Sequence, residues 1–485
     1  MTTATDIFFE LVRDHAKLEV FHVAPDAPLR DVVGLMTTEK ATAIVVIAGD
    51  RRPVGIITEQ DIVRRATFAA DSAQPVRDVM SRPVHCIGEY EHLFIAIARM
   101  RRLGHRHMPI IDDGERLSGI LDLHHTMAHA ASDLIVRIDA LTRDDSIDGL
   151  REIKAAQVSV AESLFADDIS AADIQSVLSH VNNDIYRRLV DLNLAAMADE
   201  GKPPPVEFSV IVMGSGGRGE NFLVPDQDYG FILADHAGDR HDEIDPWFVD
   251  LAERLSRDLD IVGLPYCKGH VMATNPLWRK TISRWKEQIE DWNRRAHAIP
   301  LLDFDIFFDF RPVWGDRRLP AELRRHATRI TRGNKSFLRA LWSEDRDHGT
   351  ARGWFGRFAT ERNDPVHKGK INLKLHGILP LVEGARLLAL RDGIEATGTL
   401  ARLRGACEGG ALDSDELDDL VAAHHTLGEL LLRHQFADFK AGTPVSSYVD
   451  PKGLRRRERR RLREAFTAIE ALRARFRFEI DGEIF

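Results

Sequence analysis

Cysteine is scarce in this chain, with Cys86, Cys267 and Cys407 the three in 485 residues. They lie far apart and no C-x-x-C occurs, which excludes a disulfide framework and a zinc knuckle. No uninterrupted apolar run approaches membrane-spanning length, and no basic stretch followed by an apolar core opens the chain. No membrane association is therefore expected, and the cytoplasm is the expected compartment. Basic excess is missing as well. The formal net charge is −10, so nucleic acid and anionic membranes are not expected partners of the whole chain. What remains is ordinary for a soluble globular protein, 44% hydrophobic and 29% charged, and long enough for about three domains.

One glycine-serine turn carries the strongest chemical signal. The apolar run Val210-Ile211-Val212-Met213 enters Gly214-Ser215-Gly216-Gly217-Arg218-Gly219, and Pro225 then opens a second strand carrying Asp226 and Asp228. Residues i and i+2 of a strand share a face, roughly 6–7 Å apart. Two carboxylates so placed suit Mg²⁺ (or Mn²⁺), which takes one or two protein carboxylates together with substrate phosphates. The small residues before them let a triphosphate approach backbone N–H groups. The glycines also spell G-x-G-x-x-G, with Asp235 further on. A dinucleotide fold, however, needs a full crossover helix, and Pro225 follows Gly219 too closely. A P-loop is excluded because its lysine is absent.

Residues 22–62 and 86–126 superimpose with a constant offset of 64 and no gap. Ile44-Val45-Val46-Ile47 falls on Met108-Pro109-Ile110-Ile111, and Gly55-Ile56-Ile57 on Gly119-Ile120-Leu121. Each copy reads as strand, helix, buried strand, turn, strand and helix, which predicts two similar units packed together. The repeat resembles a tandem pair of cystathionine-β-synthase (CBS) domains over residues 17–131. The resemblance implies an adenosine nucleotide whose ribose is held by Thr58 and Asp61. Asp122 and His125 stand at those positions in the second copy, so one adenosine site is expected to be lost or altered. His105, His107, His124, His125 and His129 lack a clear metal-ligand spacing and read as surface or core histidines.

Residues 132–204 show amphipathic helical spacing, then Gly201-Lys202-Pro203-Pro204-Pro205 breaks the helix. Residues 205–315 alternate strands and helices. Their last strand is read as Asp303 to Arg311, with Asp303, Asp305, Asp309 and Arg311 on one face. Residues 316–485 read as a helical bundle. The run Arg455 to Arg461 reads as a solvated helix face, because Leu462, Phe466 and Ile469 supply a buried stripe and no aromatic stacking series accompanies it.

Taken in order, these motifs resemble the bacterial CBS-linked nucleotidyltransferases, relatives of the PII-protein uridylyltransferases in the DNA polymerase β superfamily. Met213-Gly214-Ser215 followed by Asp226-Gln227-Asp228 carries the superfamily pattern. Pro265 to Trp278, Phe307 to Asp316, Lys368 to Lys374 and Ala385 to Leu390 carry the family's further signatures. The implied fold is a multidomain α/β and α chain. A tandem CBS pair (17–131) and a helical connector (132–204) lead to an α/β nucleotidyltransferase domain with a mixed sheet (205–315). A C-terminal helical substrate-binding bundle (316–485) completes it. Lys268, His270 and Tyr229 depart from the common pattern without removing a carboxylate.

The implied reaction moves a nucleoside monophosphate from a nucleoside triphosphate to an acceptor. Asp226 and Asp228 are the expected metal ligands, with Asp309 as third carboxylate and base, and Asp305 in reserve. Gly214, Ser215, Arg218, Arg311, Lys268 and Asn275 are the candidate nucleotide contacts. The resemblance suggests a PII-like signalling protein as acceptor, control through the CBS pair, and a homodimer. Two alternatives stay open: a catalytically inactive nucleotide-sensing scaffold, and an enzyme that modifies a small molecule.

Overall fold

The computed structural model describes residues 10–17, 20–63, 73–123, 126, 145–295, 305–345, 349–353 and 357–477. The chain divides into two compact units, residues 1–144 and 145–485.

In the first unit the repeat becomes two matching three-stranded sheets. One holds β1 (His22–Val23), β2 (Ala43–Ile47) and β3 (Pro53–Thr58), with α1 (Leu29–Glu39) between β1 and β2. The other holds β4 (Ile87–Gly88), β5 (His107–Ile111) and β6 (Leu117–Asp122), with α2 (Leu93–Leu103) in the equivalent place. The registers repeat with the sequence offset: Ile44 pairs with Ile57, and Met108 with Leu121. Ile44, Val46 and Ile57 pack against Val32 and Met36 of α1. The opposite residue of β2, Val45, packs against Leu117 and Ile120 of the other copy. A strand that is apolar on both faces is what this double burial requires. His124, His125 and His129 lie outside the described residues.

The second unit opens with α3 (Ile147–Ala166) and α4 (Ala171–Asp199), each N-capped by a serine side chain. Next come β7 (Phe208–Val212), the single-turn helix α5 (Gly214–Arg218), β8 (Tyr229–Leu233), α6 (His241–Val262), β9 (Arg279–Thr281), α7 (Ile282–Arg295) and β10 (Arg311–Gly315). The sheet order is β10-β7-β8-β9, antiparallel except for the parallel pair β8–β9, so the expected mixed sheet is present. Both central strands are wholly buried. Phe208 and Phe231 meet Phe248 of α6 on one face. Ile211, Met213 and Ile232 join Trp278, Trp285 and Phe307 in one buried apolar cluster. Helices α8 (Arg318–Thr331), α9 (Lys335–Asp345), α10 (Leu379–Asp392), α11 (Thr399–Glu408), α12 (Ser414–Lys440) and α13 (Arg456–Phe476) complete the helical part. Strands β11 (Ile371–Asn372) and β12 (Tyr448–Val449) pair beside them. Helix α13 buries Leu462, Phe466 and Ile469 and turns most of its arginines outward, as its spacing predicts.

Two local readings are corrected. Asp226 and Asp228 precede β8 rather than lying within it. Asp305 to Asp309 forms a 3₁₀ turn, and the strand there begins at Arg311. Asp303 lies outside the described residues.

Candidate functional site

Strand pairing brings the site together. Val212, the last residue of β7, pairs with Tyr229 on one side and Arg311 on the other. The bend after β7 is therefore flanked by the residues preceding β8, which carry Asp226 and Asp228, and those preceding β10, which carry Asp309. Met213 N donates to the Asp228 carbonyl at 2.8 Å. Gly214 adopts φ +53°, and a Cβ there would stand 2.8 Å from Asp228 Oδ2, so the bend admits the carboxylate because it has no side chain. At Gly217 a Cβ would fall 2.0 Å from the Asp309 carbonyl oxygen. Ser215 Oγ donates to Asn221 Oδ1 at 2.9 Å.

Gln227 is buried between the two aspartates, and its amide donates to the carbonyls of Ser256 and Leu264 at 2.9 and 2.7 Å. That anchor turns both carboxylates the other way, Asp226 exposed and Asp228 half-buried. Burial pushes the Asp228 carboxyl up to about 7, and the charge of Asp226 adds to the rise against the opposing Cys267 thiol, Lys374 and Arg218. Burial and the neighbouring Asp228 push the Cys267 thiol up to about 11. Tyr229, an unusual residue after the second aspartate, is fully buried, with its hydroxyl on Ala252 O and Ser256 Oγ. It supports the fold behind the site.

Asp309 does not serve as the third metal ligand in this geometry. Its carboxylate is 0% exposed and accepts from Arg218 Nη1 at 2.6 Å, Arg386 Nε and Nη2 at 3.1 and 2.7 Å, and Arg402 Nη1 at 2.6 Å. Burial alone would raise its pKa, but Arg386, Arg402 and Arg218 outweigh it and hold the group well below the usual carboxylate range. Asp305, the reserve, accepts from Arg386 Nη1 at 2.5 Å. Among the described residues no group of three His, Cys, Asp or Glu side chains is placed to hold a metal ion.

Arg218 also donates to Glu220 Oε2 at 2.7 Å, and Glu220 accepts from Thr399 N and Oγ1 at 2.6 and 3.0 Å. Arg311 donates to Thr397 Oγ1 at 3.3 Å, and Thr397 in turn donates to Gly217 O at 3.0 Å. Both arginines therefore fasten the glycine bend to the helical part. A cavity of about 300 Å³ opens there, lined by Ser215, Arg218, Asp226, Lys374, Gln175 and His424 among others. Lys268 and Asn275 are not brought to it. Asn275 instead caps the turn Pro276–Trp278, accepting from Leu277 N at 3.0 Å.

Sequence reasoning missed Lys374, Gln175, His424, Arg386 and Arg402. Lys374 begins a short π-helical stretch with a kink at His376, a form common at functional sites. The available signal for Arg386 was a charge inside an otherwise apolar run, Leu387 to Leu390 on one side and Ala385 on the other.

In the first unit a cavity of about 460 Å³ is lined by Thr42, Thr58, Asp61, Ser81, His85 and His105 among others, so the structure brings both expected ribose contacts to one pocket. Thr58 Oγ1 donates to Asp61 Oδ2 at 2.7 Å, and Ser81 Oγ donates to Asp61 Oδ1 at 2.9 Å. His107 contacts Thr42 Oγ1 at 2.8 Å and Asp122 at 3.3 Å.

The family described as "Putative nucleotidyltransferase DUF294" matches residues 155–298, and its partner, "Putative nucleotidyltransferase substrate binding domain", matches 335–480. The CBS domain family matches 12–67 and 76–130. The chain belongs to the CBS-linked nucleotidyltransferases. Curated relatives of this family member include an uncharacterized 17.7 kDa protein of Acidianus ambivalens, 33% identical over 22% of this chain and 65% of its own length. Another is the inosine-5'-monophosphate dehydrogenase of Methanocaldococcus jannaschii, 30% identical over 22% of this chain and 20% of that protein. The chain thus spans less than two thirds of either relative. Similar solved structures include a CBS domain protein from Pyrobaculum aerophilum complexed with AMP, at 20% identity and a TM-score of 0.25. That likeness covers 27% of this chain and 98% of that one. A conserved CBS domain protein from Thermoplasma acidophilum has 21% identity and a TM-score of 0.24, over 27% of this chain and 74% of that one. No helix among the described residues is long and apolar enough to cross a membrane.

Proposed function

We propose that this nucleotidyltransferase moves a nucleoside monophosphate from a nucleoside triphosphate to an acceptor hydroxyl at the Asp226 edge of the 300 Å³ cavity. The observation that carries the reading is that Asp226, Lys374 and Ser215 of the glycine bend line one opening, with the Asp228 carboxylate held against that bend. Asp226 and Asp228 would hold Mg²⁺ or Mn²⁺, and they fit it. Two like charges are held together, one with its pKa near 7, and phosphate oxygens complete such a shell when protein carboxylates are few. When bound, the ion would neutralise charge developing on the phosphates.

The chain's own groups do the rest. Lys374, exposed and close enough for its charge to be felt at Asp228, is the cation open to the triphosphate. Gly214 and Ser215 offer backbone N–H groups to the same phosphates. The acceptor oxygen bonds to the α-phosphorus, the bond to the bridging oxygen breaks, and pyrophosphate leaves. Asp226, exposed at the opening, is the carboxylate open to the acceptor's proton. Arg311 acts through the bend it braces.

The proposed acceptor is a PII-like signalling protein, on the strength of the family resemblance. An adenosine nucleotide in the Thr58–Asp61 cavity is the proposed regulator, and a homodimer the proposed assembly. Regulation requires that the nucleotide bind two states of the protein with different affinity. Unchanged transfer kinetics at saturating AMP would dismiss it.

One observation favours a second reading, a non-reacting nucleotide-sensing scaffold: Asp309 is committed to three arginines, which leaves the acidic set at two. Incubation with each labelled nucleoside triphosphate, Mg²⁺ and cell extract separates the two readings. Label transferred to a protein, with pyrophosphate released and both lost in Asp226→Asn, supports the transferase. No label from any nucleotide supports the scaffold.

A further inference from the structure

Lys154 of α3 is a cation in the interior with no acid beside it. It is 7% exposed, and among the described residues no carboxylate pairs with it. A buried charge without a counter-ion is expensive, so what the ammonium holds is informative. Its three N–H donors meet three acceptors: Gln157 Oε1 at 3.0 Å, Asn182 Oδ1 of α4 at 2.9 Å and the Leu223 carbonyl at 3.3 Å. The Gln157 amide is fixed in that orientation by donating to the Leu178 carbonyl at 2.7 Å. Leu223 is buried on the loop between the glycine bend and the carboxylates. Among the described residues its carbonyl has no other donor, and its own N–H donates to Gln435 Oε1 of α12 at 3.2 Å. Leu223 is thus gripped at both its N–H and its carbonyl. Only Val224 and Pro225 separate it from Asp226, and proline fixes the φ through which that grip is passed on.

We infer that Lys154 is a positioning residue for nucleotidyl transfer: by holding the Leu223 carbonyl, its ammonium sets where Asp226 stands at the cavity. The inference rests on the nucleotidyltransferase reading above and adds a residue that acts on the reaction through the loop, without touching substrate. A displacement of about 1 Å in a reacting group costs about a hundredfold in rate, so a loop held at Leu223 matters two residues before its carboxylate. The grip depends on protonation. Burial pushes Lys154 down to about 7, and the groups around it carry no charge: Gln157, Asn182, the Leu223 carbonyl and Gly263 at the end of α6. A neutral amine has two donors for these three acceptors, so the longest bond, to Leu223, is released as pH rises through that value.

Lys154→Met keeps the stem and removes the donors. Mg²⁺-dependent pyrophosphate release by the full-length chain is measured with the nucleoside triphosphate that reacts, cell extract supplying the acceptor. At about pH 6 the variant is expected to lose about 10–100-fold in kcat, with KM for the triphosphate within about twofold, because the groups that meet the phosphates are untouched. By about pH 8.5 the gap should close, since the unaltered chain has by then released the same bond. The ratio of the two rates cancels every titration the proteins share, and a merely structural lysine would leave that ratio flat across pH. Should Lys154→Met fail to fold, hydrogen exchange of the unaltered chain gives the second measurement. Corrected for the intrinsic pH dependence, protection of the amides of residues 220–228 should fall about tenfold over the same pH range. Unchanged protection, or a kcat for Lys154→Met equal to that of the unaltered chain at about pH 6, overturns the positioning role and leaves nucleotidyl transfer standing. If the unaltered chain releases no Asp226-dependent pyrophosphate, the underlying reading falls and this inference falls with it.

Discussion

Replacing Asp309 by asparagine keeps the side chain's shape and removes its charge. The carboxylate is 0% exposed and accepts four hydrogen bonds from Arg218, Arg386 and Arg402. Around it Arg218 also meets Glu220 and Arg386 also meets Asp305, so three guanidiniums face three carboxylates. Without Asp309 the cluster carries one uncompensated buried charge, and an amide N–H₂ points at a guanidinium. Breaking a buried ion pair from one side costs about 3–5 kcal/mol, a large part of the ~5–15 kcal/mol that holds a domain folded. The pH dependence follows from the direction of the shift. The arginines hold Asp309 well below the usual carboxylate range, so its contribution is full above the unfolded value near about 4 and is lost as pH falls below it. Urea unfolding followed by tryptophan fluorescence isolates the second unit, because all seven tryptophans lie after residue 145. Asp309→Asn is expected to lower the unfolding midpoint strongly at pH 7, and the gap from the unaltered chain should narrow in acid. A variant with an unchanged midpoint that has lost Mg²⁺-dependent pyrophosphate release would refute this reasoning and return Asp309 to the metal.

Asp226→Asn should behave in the opposite way. Pyrophosphate release falls by about a thousandfold, while the urea midpoint holds or rises, because one of two like charges beside Asp228 is gone. Lys374→Ala should weaken triphosphate binding in calorimetry with little change in the melting temperature. Arg218→Ala should lower the melting temperature first, since it strips both Asp309 and Glu220 of a partner. Lys154 offers a pH test. It is buried and donates to Gln157 Oε1, Asn182 Oδ1 and Leu223 O, and burial pushes it down to about 7. The unfolded chain then binds more protons between about 7 and 10.5, so stability should rise with pH across that window. Lys154→Met, followed by melting temperatures at several pH values, should flatten the rise.

Much of this architecture was readable because it is set by local pattern. The repeat could be aligned without a gap, so Ile44 and Met108 were placed in matching strands before any coordinates. Strands β7 and β8 were legible because a sheet covered by helices on both faces demands continuous apolar runs. The pairing of Asp226 with Asp228 followed from alternation alone, and it survived although both residues precede the strand, because Gln227 is turned inward between them.

The segment around Asp309 was misread for a reason that pattern cannot supply. Its alternating charges and phenylalanines fit a strand, and nothing local in the pattern marks the 3₁₀ turn that Asp305 to Asp309 adopts. What decides between the two is the set of partners. Arg386 and Arg402 lie 77 and 93 residues further along the chain, and a guanidinium buried between Asp305 and Asp309 needs both acids on its side. A 3₁₀ turn provides that while sending Phe307 and Phe308 into the tryptophan cluster. The same partners explain why Lys374 rather than Arg218 is the cation left exposed at the cavity. Arg218 already spans Asp309 and Glu220, and Glu220 is tied to Thr399, so turning Arg218 toward a phosphate would strip two buried carboxylates at once. The arginine next to the glycine bend thus belongs to the joint between the sheet and the helical part, and the cation left unburied at the cavity is Lys374, across that joint.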